Sequence, residues 1–143
     1  MKSKTMNILL WIAQGLLAIA FLMGGSFVLF QPAEAIAGKM SFVNHYSVIM
    51  VKFISACEVL GAIGLILPSA FRIKPWLTPL AALGLAVIML LATNYHFNHG
   101  EAGEVPMTII LGLIAVFIAW GRWKKVPIRS RNKSLFIPET QKV

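Results

Sequence analysis

The sequence predicts an all-α fold: an integral membrane four-helix bundle, up-down-up-down, with both termini on the cytoplasmic side. Three observations predict it. Hydrophobic residues make up 58% of the chain and charged residues only 13%, where a soluble domain carries about a quarter charged residues. The apolar residues gather into four runs, at about 8–30, 48–67, 76–95 and 105–121, each near the ~20 residues a helix needs to cross the hydrocarbon core. The Lys and Arg residues alternate from side to side between those runs, as membrane topology requires. The runs are too long for strands, and they lack the alternation of a membrane barrel.

Each run has recognisable ends. Gln31-Pro32 closes the first and Pro68-Ser69 the second. Pro75 introduces the third, Pro79 falls within its first turn or so, and Asn98-His99-Gly100 closes it. Pro106 opens the fourth, in a first turn where a missing N–H costs nothing. The start, Met1-Lys2-Ser3-Lys4, and the small residues of Ala33-Glu34-Ala35 resemble a cleavable signal peptide. Signal peptides, however, carry an apolar core of only about 7–15 residues. The first run is longer and contains Gln14 and Gly24-Gly25-Ser26, so it is read as an uncleaved span. The chain thus divides into a four-span domain at 1–125 and a basic cytoplasmic tail at 126–143, interrupted by Pro127 and Pro138.

The net charge of +8 does not mark a nucleic-acid surface. Its cations lie at the chain ends and in one short loop. Lys2, Lys4, Arg72, Lys74, Arg122, Lys124, Lys125, Arg129, Arg131, Lys133 and Lys142 fall on one side. Lys39 falls on the other, with Lys52 just inside the second span and Glu34, Glu101 and Glu104 beside them. The positive-inside rule makes the first side cytoplasmic, in what we expect to be a bacterial plasma membrane. Asp is absent, and Cys57 is the one cysteine, so no intrachain disulfide forms.

Lipid gives no hydrophobic drive between helices, so close backbone approach carries the packing. Small residues recur at helical spacing for that purpose: Ala18, Gly24 and Gly25; Cys57, Gly61 and Gly64; Ala82, Gly84 and Ala86; Gly112, Ala115 and Ala119. The short connection from Pro68 to Pro75 makes the second and third spans antiparallel neighbours.

Polar residues inside apolar runs are the candidate functional positions. Glu58 lies near the middle of the second span, where a carboxylate costs several kcal/mol or more unless paired or neutral. Two roles are open to it. One is a proton-handling or ligand-binding group in the bundle; the other is an acid hydrogen-bonded to a neighbouring helix that fixes register. Lys52 is about 240° around the helix from Glu58, and snorkelling explains it more simply than pairing. Gln14, in the first span, is expected to bond between helices. Together Glu58, Gln14 and Lys52 form the candidate buried site. His45, Asn94, Tyr95, His96 and His99, with Glu101 and Glu104, form a candidate outer polar rim. His96 and His99 share a face, but no metal-binding motif accompanies them, so no metal site is assigned. Trp11, Trp76, Trp120 and Trp123 are placed as interfacial anchors. No phosphate loop, nucleophile elbow or catalytic dyad is visible, so no enzyme activity is assigned.

The stretch Glu58-Val59-Leu60-Gly61-Ala62-Ile63-Gly64-Leu65-Ile66-Leu67-Pro68 resembles the DoxX-like family of small four-helix membrane proteins. The resemblance continues in Pro79-Leu80-Ala81-Ala82-Leu83-Gly84-Leu85-Ala86-Val87-Ile88-Met89, in Asn94-Tyr95-His96-Phe97-Asn98-His99-Gly100-Glu101, and in Ala119-Trp120-Gly121-Arg122. Members commonly carry a Lys soon after a Gly in the first helix. Here Gly25 is followed by Ser26-Phe27-Val28-Leu29, so that feature is missing. The resemblance implies the fold, and some relatives belong to thiosulfate–quinone oxidoreductases or associate with redox enzymes. The expectation is therefore an accessory subunit of a membrane redox or quinone-linked complex, acting within a complex more than alone, with quinone as the one cofactor to consider. The alternatives are a non-catalytic scaffold or assembly factor, and a small proton-coupled transporter. Expected partners are the bilayer, redox enzyme subunits and further copies of the chain, without nucleic acid.

Overall fold

The computed structural model describes residues 3–38 and 45–130. Lys2, Lys39 and the tail at 131–143, used above for orientation, lie outside the described residues. The chain forms α1 (Ser3–Phe30), a short α2 (Ala33–Ala37), α3 (Val48–Phe71), α4 (Leu77–Asn98) and α5 (Val105–Trp120). A π-helical turn, Gly121–Lys125, extends α5. Among the described residues, α1, α3, α4 and α5 with its turn are the helices long and apolar enough to cross a membrane.

These four form a ring in which α1 packs on α3, α3 on α4, α4 on α5, and α5 back on α1. Contacts between opposite ends of successive helices make each neighbouring pair antiparallel. Gly25 of α1 meets Ser55 of α3, and Gly61 of α3 meets Leu85 of α4. Gly112 of α5 in turn meets Met89 of α4. The bundle has a basic end, carrying Ser3, Arg72 and Arg122, and a histidine end, carrying His45, His96 and His99.

Residue pattern explains which face of each helix turns inward. On α1, Leu10, Gln14, Leu17, Ala18, Phe21, Gly25 and Val28 are buried, at the three- and four-residue intervals of one helical stripe. The opposite face is just as apolar, with Ile12, Leu16, Ile19 and Met23 exposed. A helix apolar all round yet exposed on one side belongs in lipid. The shared core joins Leu17, Phe21, Leu65, Leu85 and Ile118 across Ala62, Ala82 and Ala115.

Close approach rests on particular glycines. A Cβ at Gly61 would lie 2.7 Å from Leu85 Cδ2, and one at Gly64 would lie 2.8 Å from Ala81 Cβ. Gly24 and Gly84, expected at interfaces too, face nothing within 4 Å.

The ends of α3 and α4 differ from expectation. α3 does not stop at Pro68 but runs through it to Phe71. Proline removes the N–H that would bond the carbonyl four residues earlier, which belongs to Gly64. Thr78 of α4 donates its hydroxyl to that carbonyl at 3.1 Å. The Ser69 hydroxyl lies 2.7 Å from Thr78 Oγ1. The neighbouring helix thus replaces the lost bond, and α3 persists until Arg72 turns left-handed at φ 58°. α4 continues to Asn98, beyond the expected exit at 95, and the chain then reverses through Gly100 at φ +73°.

Candidate functional site

Three polar centres are positioned by this frame: one at the basic end, one near mid-bundle and one at the histidine end.

At the basic end the π-helical turn brings α5 onto α1. The N–H of Val126 donates to the carbonyl of Gly121 at 2.7 Å, the five-residue spacing of a π turn. A Cβ at Gly121 would lie 2.5 Å from Leu10 Cδ2, so any larger residue would force Leu10 to move. The approach buries Arg122, whose residue exposure is 3%. Its Nε donates to Gln14 Oε1 at 2.6 Å. Its Nη1 donates to Asn7 Oδ1 at 2.7 Å and to the Val126 carbonyl at 3.3 Å. Its guanidinium sits 5.3 Å from the Trp11 ring centroid, a cation–π distance. Asn7, Trp11 and Gln14 share one stripe of α1, which is why one guanidinium reaches all three.

Gln14 is fully buried, and its Nε2 donates across the bundle to the Leu65 carbonyl of α3. One amide therefore joins α1, α3 and the end of α5. Arg122 Nη2 is buried and has no partner. Among the described residues no carboxylate pairs with this guanidinium, since the ion pair they contain is His96–Glu101 at the other end.

The mid-bundle centre is Glu58. It is half-buried near the middle of α3, with its Cβ against Gly25 of α1, 3.3 Å from where a Cβ there would stand. Among the described residues it has no hydrogen-bond or ion-pair partner. Lys52, also half-buried, lies closer to the histidine end. Gln14, Lys52 and Glu58 do not converge. Gln14 meets Leu65 while Glu58 meets Gly25, and those two α1 positions are about 16 Å apart along the axis.

At the histidine end, aromatic rings stack. Tyr95 and His99 lie with ring centroids 4.1 Å apart, and His45 meets His99 edge-on at 4.4 Å. The Tyr95 hydroxyl lies 3.0 Å from His45 Nδ1, and His99 Nδ1 lies 2.8 Å from the Tyr95 carbonyl. His96 Nδ1 meets Glu101. Asn94, expected in the same rim, instead accepts from Asn98 on an exposed face at 3.1 Å. Among the described residues no three His, Cys, Asp or Glu side chains are grouped to hold a metal ion.

A family profile described as the DoxX-like family matches residues 12–118. The chain belongs to the DoxX-like family. No curated protein and no solved structure matches it significantly. The match spans all four membrane helices, so this DoxX-like chain is an integral multi-pass membrane protein in contact with lipid. It takes in Gln14, Glu58 and the histidines, whereas Asn7, Trp11 and Arg122 lie outside the matched residues.

The sequence pattern missed Arg122 as a site residue, because counting cations for topology treats every terminal Arg as solvated. Nothing in the sequence pattern singles out Asn7, and Trp11 reads as an interfacial anchor alone. The available signal was the spacing of Asn7, Trp11 and Gln14 on one helix face.

Proposed function

We propose that this protein is an accessory subunit of a membrane redox or quinone-linked complex, and that Glu58 is the residue through which it engages the quinone. The observation that carries this reading is the Glu58 side chain, half-buried in mid-helix without a partner among the described residues. A glutamate kept only to fix helix register would bond a neighbouring helix. Gln14 does that here, through Leu65 and Arg122. A neutral carboxyl in a bilayer is a hydrogen-bond donor to a quinone carbonyl, and it can pass on one of the two protons taken up when the redox subunits deliver two electrons to the quinone. The helices present apolar faces to lipid, from which a quinone tail would enter. No constellation of a nucleophile and a base accompanies Glu58, which supports a subunit's role more than an independent enzyme's. The orientation with both ends cytoplasmic rests on the Lys/Arg distribution and belongs to the same proposal.

The test is gentle purification of the full chain from native membranes, followed by identification of extracted quinones and co-purifying proteins. The parent should carry quinone at a defined stoichiometry together with redox subunits. Glu58→Leu should lower quinone occupancy about tenfold, the effect of losing roughly 1.4 kcal/mol of hydrogen bonding. Glu58→Gln, which retains a donor, should keep the quinone but impair its turnover. A parent free of both quinone and redox subunits would overturn the proposal. Co-purifying subunits without quinone, lost on Glu58→Leu, would favour the scaffold reading.

A further inference from the structure

The basic end holds a second feature that the Glu58 reading does not use. The α3–α4 loop and residues 126–130 enclose an open cleft of about 1150 Å³. Arg72, Lys74, Arg122 and Arg129 line it, together with Trp76 and Trp123, and among the described residues no acidic one does. The two walls are tied together, since Arg72 Nε donates to the Arg129 carbonyl at 3.1 Å. The loop's shape is specific. Among the described residues, Arg72 and Lys74 are the non-glycine positions with positive φ, at 58° and 46°.

Three properties of this cleft converge. Four cations gather without a counter-charge among the lining residues. Arg122 borders the cleft, and its buried Nη2 has no partner among the described residues, a donor that leaves room for an acceptor. Trp76 and Trp123 are exposed at the ends of membrane helices, the depth at which tryptophan meets lipid headgroups. Pro79 and Leu80 continue the lining down α4 into the apolar zone. A soluble anion would have no use for that lower wall, whereas an acyl chain would lie along it.

We propose that this cleft is a binding site for an anionic phospholipid, with the phosphate held between Arg122 and the Arg72–Lys74 loop and the glycerol and upper acyl carbons against Trp76 and Leu80. Guanidinium groups suit this role because their planar donors match phosphate oxygens. The site is separate from Glu58, so either proposal stands if the other fails.

The test uses the full chain in nanodiscs of phosphatidylcholine containing ten mole per cent phosphatidylglycerol, with retained lipid read by native mass spectrometry. The parent should retain phosphatidylglycerol at least tenfold over its share of the bilayer. The double variant R72Q/K74Q replaces two exposed side chains and should reduce this enrichment about tenfold, about 1.4 kcal/mol for the pair of charges removed. Its thermal unfolding reports whether the fold is intact. R122K, which keeps the charge but loses the planar fork, should weaken retention by a smaller factor. Equal retention of the two lipids by the parent would overturn the proposal. So would enrichment unchanged in both variants, or phosphatidylglycerol displaced by millimolar inorganic phosphate, which would mark a site for soluble anions.

Discussion

Gln14 and Glu58 are both polar residues within apolar membrane helices, and the bundle treats them in opposite ways. Gln14 is fully buried and has both ends of its amide engaged, one by Arg122 and one by the Leu65 carbonyl. Glu58 packs its Cβ against Gly25, and its carboxyl engages none of the described residues. Polarity within a membrane helix therefore has two meanings. A residue whose hydrogen-bonding capacity is filled by neighbouring helices is part of the frame. One whose capacity is left open costs free energy, and there the proposed function places a ligand from outside the chain.

The comparison can be broken most directly at Gln14. Gln14→Leu removes the Leu65 contact and leaves the buried Arg122 with only Asn7 and Val126 as hydrogen-bond acceptors. Breaking a buried charged network in this way costs about 3 kcal/mol. The measurement is unfolding of the purified protein in a bilayer mimic, and a loss below about 1 kcal/mol would mean that the network is not part of the frame.

A smaller effect is expected at the second interhelical link. Thr78→Val removes the hydroxyl that satisfies the Gly64 carbonyl freed by Pro68. It should cost about 1–1.5 kcal/mol. Amide exchange of α3 should also rise locally between Leu67 and Phe71, because the helix there continues past its proline on the strength of that bond. Uniform exchange along α3 would contradict this explanation of its length.

At the histidine end the effect should be smaller again. The His96–Glu101 pair is partly exposed at the end of α4, and pairs of that kind are worth about 1 kcal/mol or less. Glu101→Gln should therefore change stability by no more than that in the same unfolding assay. A loss as large as that of Gln14→Leu would place part of the frame in the aromatic rim.

How much of this was legible in the sequence follows from the range of the interactions. The four spans were legible because hydrophobicity and helix length are local. The extension of α3 past Pro68 was not, because it depends on Thr78, which only folding brings to the Gly64 carbonyl. Gln14 was legible as a polar residue in an apolar run, but its partner Arg122 stands far away in the chain. Arg122 itself was hidden by its company, being one of several cations near the end of the last span. The separation of Gln14, Lys52 and Glu58 was equally invisible, because depth along a bundle is set by how helices pack against each other. Asn94 was grouped with the histidines by sequence proximity, although its place on the helix turns it toward Asn98.

The claim that Glu58 is held for something outside the chain is tested most directly by the stability of Glu58→Leu in the bilayer. Removing an unpartnered polar group from a membrane helix should leave unfolding free energy unchanged, within about 0.5 kcal/mol, or raise it. That variant should stand beside Gln14→Leu, measured identically, as a stable protein. A loss from Glu58→Leu comparable to that from Gln14→Leu would contradict the account and return Glu58 to the frame of the bundle.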